Sequence, residues 1–117
     1  MDKERRRSKR AVVSIAAKCR EIERANYHDV RIKDMHPEGF CFRSDHRFAQ
    51  GQKLMFGFDL PLHGMVYLTA NVAWSKAIPR TGIYMAGVSF LIDDPVTREA
   101  RSHIYNFFQG RNTQDFR

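Results

Sequence analysis

Hydrophobic and polar residues alternate along most of this chain, in short runs broken by turn chemistry. Period two is the mark of half-buried strands. Val13, Ile15, Ala17 and Cys19 share one face of a first predicted strand. Val30 and Ile32 alternate with Arg31 and Lys33 in a second, which ends at Asp34. His36-Pro37-Glu38-Gly39 is a turn, with Pro fixing φ and Gly available for a positive φ. Phe40 and Phe42 mark a short third strand. Leu54, Phe56, Phe58 and Leu60 form the inner face of a fourth, and Pro61-Leu62-His63-Gly64 breaks it. Val66, Leu68, Ala70, Val72 and Trp74 fall on one face of a long fifth strand. After the Ile78–Gly82 loop, Tyr84, Ala86, Val88, Phe90 and Ile92 give a sixth.

The period then lengthens. Asp94 suits an N-cap and Pro95 the first helical position. Val96, Ala100, Ile104, Phe107 and Phe108 form one apolar stripe of an α-helix, with Gly110 as its stop. The pattern predicts an all-β fold with a C-terminal helix: a six-stranded antiparallel β-barrel flanked by one α-helix. Closing the sheet removes exposed edges from strands this apolar. The helix stripe is read as packing on the barrel, with a dimerisation surface as the alternative. The expected organisation is a flexible basic arm over 1–10, the barrel and helix over 11–109 (helix about 94–109), and a frayed tail over 110–117.

Composition adds bounds. A chain of 117 residues, 43% apolar, supports one domain with one core. No stretch approaches the roughly 18 apolar residues that span a bilayer, and the opening lacks a signal-peptide pattern. Both point to the cytoplasm without membrane insertion. Cys19 and Cys41 read as structural thiols. The net charge of +7 is concentrated: residues 1–10 hold six basic and two acidic side chains. Such asymmetry points to a polyanionic partner.

Catalytic patterns are missing from the sequence. The five histidines show no His-Glu-x-x-His or other zinc spacing, and there is no Walker loop, dinucleotide fingerprint or Gly-x-Ser-x-Gly elbow. The chain is therefore read as a non-enzyme, with no catalytic residue, metal ligand or cofactor assigned. What stands out is Arg6-Arg7-Ser8-Lys9-Arg10, an Arg-x-x-x-Arg element before the first strand, and Asp34-Met35-His36-Pro37-Glu38-Gly39. Guanidinium forks grip phosphate oxygens and stack on flat π systems. A carboxylate accepts from the adjacent N–H donors of a guanine edge, and glycine allows close backbone approach.

Arg-x-x-x-Arg, then Asp/Asn-x-Ser-x-x-Gly, then a six-stranded barrel and a C-terminal helix resembles the PilZ domain family, over about residues 4–109. Asn71-Val72-Ala73-Trp74 and Met85-Ala86-Gly87-Val88-Ser89-Phe90 support the resemblance. It implies a split-barrel fold and binding of the bacterial second messenger cyclic di-GMP. Carried over by position, Arg6 and Arg10 would hold phosphates and guanines, with Arg5 or Arg7 as helpers. Asp34 and Gly39 match the ends of the second motif. Trp74 lies where some members place a tryptophan against a guanine; a core tryptophan is the other reading. The motif's serine is His36 here, a bulkier group that either bonds or stacks on the base or blocks the pocket. The implied function is a non-catalytic cyclic di-GMP receptor acting on an unidentified protein partner. The alternatives are a PilZ-fold adaptor without the nucleotide and a small nucleic-acid-binding barrel. Against the last, Phe40 and Phe42 fall on core positions and no basic stripe follows a strand.

Overall fold

The structure, a computed structural model, describes residues 11–115. Six strands and a helix follow in order: β1 (Ala11–Glu21), β2 (His28–His36), β3 (Gly39–Ser44), β4 (Lys53–Leu60), β5 (Gly64–Ile78), β6 (Ile83–Phe90) and α1 (Pro95–Asp115). All neighbours are antiparallel, and the sheet closes as β1-β2-β3-β6-β5-β4. Closure gives every strand a hydrogen-bonded neighbour on each side over part of its length.

The barrel is filled from every strand. Leu54, Phe56, Phe58 and Leu60 of β4 are buried, as their alternation predicts, with Val66, Leu68, Ala70 and Val72 of β5. Phe40 sits among Phe42, Phe56, Phe58 and Phe90, with ring centroids 4.9–6.3 Å apart in edge-to-face geometry. That arrangement aligns ring edges with ring faces. Phe40 and Phe42 are therefore core residues and present no face for a base. Cys19 is also inside; burial, with Glu21 nearby, pushes its thiol up to about 12, so it stays protonated near neutral pH.

The helix packs on the barrel against β5, and Ala100 and Ile104 join the same core. Its inward stripe differs from the expected one at the start: Thr97 is buried in place of Val96, which is 56% exposed. The reason is a hydrogen-bond relay. Thr97 Oγ1 accepts from the Thr69 N–H of β5 at 2.9 Å and donates to Asp94 Oδ2 at 2.7 Å. Asp94 also accepts from the Thr97 N–H at 3.3 Å, the expected N-cap. The helix continues through Gly110 to Asp115, so the predicted stop at Gly110 is corrected. One helical glycine costs only about 1 kcal/mol, too little to end a helix alone.

Thr97→Val keeps the shape but strands the Thr69 N–H. Chemical denaturation should show a loss of about 1–3 kcal/mol, the penalty of one unsatisfied buried donor. An unchanged midpoint would contradict this docking role.

Candidate ligand-binding site

Three β-bulges shape one outer region of the barrel. Register shifts fall between Val12 and Ile15 in β1, between Ile32 and Asp34 in β2, and between Val72 and Trp74 in β5. A bulge adds a residue to one strand and re-aims the side chains beyond it. In β2 the extra residue turns Met35 into the core and puts Asp34 and His36 on the half-buried outer side. The second strand thus runs to His36, two residues past its predicted end. In β5 the same device turns Trp74 outward: it is 41% exposed, although period two places it with Val72. The core reading of Trp74 is corrected on that ground.

Beyond the bulges the strands align in rows. Asp34 pairs with Cys41, Cys41 with Gly87, and Gly87 with Trp74. The adjoining outer row brings His36 to Gly39 and Gly39 to Ser89. Asp34 and His36 thereby line one side of a cleft of about 310 Å³ and Trp74 the other, with Cys41, Ala73 and Gly87 among the small residues between them. That volume lies at the lower end of the roughly 300–1,000 Å³ typical of small-molecule sites.

The indole lies directly on Gly87: a Cβ there would come within 2.3 Å of Trp74 Nε1. Lys76 Nζ is 5.8 Å from the centroid of the Trp74 ring, within cation–π range. On the other wall, the Glu38 N–H donates to His36 Nδ1 at 3.2 Å. An accepting Nδ1 leaves Nε2–H as the ring's donor in the neutral form. The imidazole is thus folded onto its own turn.

That turn is also tied to the helix. Arg101 Nε donates to the Pro37 carbonyl at 3.2 Å, and Arg101 Nη2 to Glu38 Oε2 at 2.8 Å. The Phe90 N–H donates to the Glu38 carbonyl at 3.0 Å, joining the turn to β6 as well.

Of the residues expected at the site, the structure brings Asp34, His36 and Trp74 together. Gly39 sits in the adjoining row, and its φ is not positive, contrary to the turn reading. Instead, a Cβ there would lie 1.9 Å from the Val88 carbonyl oxygen, so glycine lets β3 and β6 approach each other. Arg5, Arg6, Arg7 and Arg10 lie outside the described residues. The described chain begins at Ala11, which pairs with Met35, and Val12 pairs with Asp34, so the arm joins the barrel beside this cleft. Sequence reasoning missed Cys41, Gly87 and Ser89. Their signal was the run of small residues at outward positions of β3 and β6, where an ordinary surface would be charged.

The sequence matches the PilZ domain family over residues 4–109. The chain belongs to the PilZ family. Solved structures share its fold at low identity. The Bacillus subtilis inhibitor of motility, MotI/DgrA, superposes with a TM-score of 0.70 at 13% identity, covering 92% of this chain and 51% of that one. This PilZ chain thus spans about half the length of that protein. The PilZ domain of Escherichia coli YcgR with c-di-GMP gives a TM-score of 0.66 at 12% identity, covering 97% and 98%. The PilZ domain of CeSA from a cellulose-synthesizing bacterium gives 0.67 at 12% identity, covering 87% and 99%. No curated protein matches in sequence.

Proposed function

We propose that this PilZ domain is a non-catalytic receptor for cyclic di-GMP that passes the signal to a protein partner. The observation that carries the reading is the convergence of Asp34, His36 and Trp74 on one cleft, at the barrel end where the arginine arm begins. A guanine seated there would stack on the Trp74 ring, donate its N1–H and N2–H to the Asp34 carboxylate, and receive a bond from His36 Nε2–H. The YcgR PilZ domain, solved with c-di-GMP, has the same fold and supports the ligand class.

A cleft of this volume holds bases better than a whole dinucleotide, so the phosphates would lie toward the arm. Arg6 and Arg10 would grip them as bidentate forks, with Arg5 or Arg7 assisting. Folding the arm over the ligand replaces a basic segment with a neutralised, ordered surface that a partner can read. The proposed setting is the bacterial cytoplasm. Among the described residues no helix is long and apolar enough to cross a membrane.

Calorimetric titration with cyclic di-GMP at low salt tests the reading. The expected result is saturable binding in the micromolar range or tighter, weakened about tenfold or more by Arg6→Ala or Arg10→Ala, at about 1.4 kcal/mol per tenfold. A flat titration of the natural chain overturns it. His36 occupies the motif's serine position, and this favours one second reading, a protein-binding adaptor without the nucleotide. Binding gained by His36→Ser, where the natural chain shows none, would select it.

A further inference from the structure

We propose that Glu21, His28 and His46 form a binding site for a divalent first-row cation, best matched by zinc. The site lies at the barrel end away from the Asp34–Trp74 cleft. Glu21 ends β1, His28 begins β2, and His46 follows β3. His28 and Asp34 stand six residues apart on one strand, about 20 Å at roughly 3.3 Å per residue.

Each of the three offers a ligand atom, and these atoms lie within 4.8 Å of one another. His46 Nε2 is 3.7 Å from Glu21 Oε2. Donors around tetrahedral zinc at about 2.0–2.2 Å stand about 3.4 Å apart, so the trio must contract by no more than about 1.5 Å. Two imidazoles and a carboxylate are a known zinc donor set that leaves a position for water.

The surroundings gather these groups, and the two rings need only tilt apart to aim a nitrogen each at one ion. The two imidazoles stack at 4.1 Å with an interplanar angle of 26°, and both pack on buried Phe48. The His46 N–H donates to Ser44 Oγ at 2.9 Å, fixing its loop. Gln52 Nε2 donates to Glu21 Oε2 at 3.0 Å, while its own Oε1 accepts from the Ala49 N–H at 2.8 Å. Such partners orient metal ligands in built sites. Glu21 also borders an open cleft of about 590 Å³, which gives a cation its path. The competing cation is Arg24, 4.0 Å from Glu21 Oε1 and largely exposed, free to swing aside.

The test is titration of tag-free, chelator-treated protein with zinc, followed by calorimetry and by imidazole NMR signals. One zinc per chain should bind with micromolar or tighter affinity and shift the His28 and His46 rings. His28→Ala or His46→Ala should weaken binding by more than the roughly 10–100-fold expected for the orienting partner in Gln52→Ala. His63→Asn with His103→Asn, a second histidine pair with centroids 6.0 Å apart, should change nothing. Absence of saturable binding by the natural chain, or ring shifts confined to other histidines, overturns the proposal without relying on any variant's folding.

Discussion

Gly39→Ala is expected to unfold the barrel more readily than a methyl added at any other described glycine. A Cβ at Gly39 would stand 1.9 Å from the Val88 carbonyl oxygen and 3.0 Å from its carbon. Both are backbone atoms, so relief requires β3 and β6 to separate where Gly39 pairs with Ser89. The neighbouring bond from the Phe90 N–H to the Glu38 carbonyl would be lost with them. Overpacking normally costs 1–3 kcal/mol; a clash against fixed backbone should cost about 3 kcal/mol or more. For a domain of this size that lowers Tm by about 15 °C, read by thermal denaturation. Gly87→Ala gives the contrast. Its Cβ would meet the Trp74 indole, a half-exposed side chain able to move, so the cleft should suffer more than stability. A Gly39→Ala melting point within a few degrees of the natural chain would contradict the packing role.

The second large effect concerns the ligand. Asp34→Ala and Trp74→Ala should each weaken cyclic di-GMP binding by about 10–100-fold. A bidentate bond to a base edge and a base–aromatic stack are each worth about 1–3 kcal/mol. Any loss of folding stability in these variants is read separately from the loss of binding. Paired calorimetry and thermal melts separate the two effects. Natural affinity in both variants would move the ligand off this cleft.

Much of the architecture was legible because inward and outward positions alternate without interruption in strands such as Leu54–Leu60. The helix start was legible too, since Asp94-Pro95 is local capping chemistry. What period two could not carry was a break in its own phase. The added residues in β2 and β5 reversed the facing of Met35 and Trp74, and with them the shape of the site. Thr97 was invisible as a buried helix residue because its hydroxyl reads as polar until Thr69 and Asp94 are brought beside it. The roles of the glycines also needed three dimensions: Gly39 looked like a turn residue and is a contact between strands. Glu21, His28 and His46 carry no short-range spacing, and only barrel closure gathers them.

The central claim is that the Asp34–His36–Trp74 cleft receives the nucleotide, and a backbone amide titration tests it most directly. With cyclic di-GMP added, shifts should saturate together and concentrate at residues 5–10, 34–41, 73–74 and 87–89. The far barrel end around His28 and His46 should stay still. Spectra unchanged at saturating nucleotide, or shifts gathered away from both the cleft and residues 5–10, would contradict nucleotide binding here.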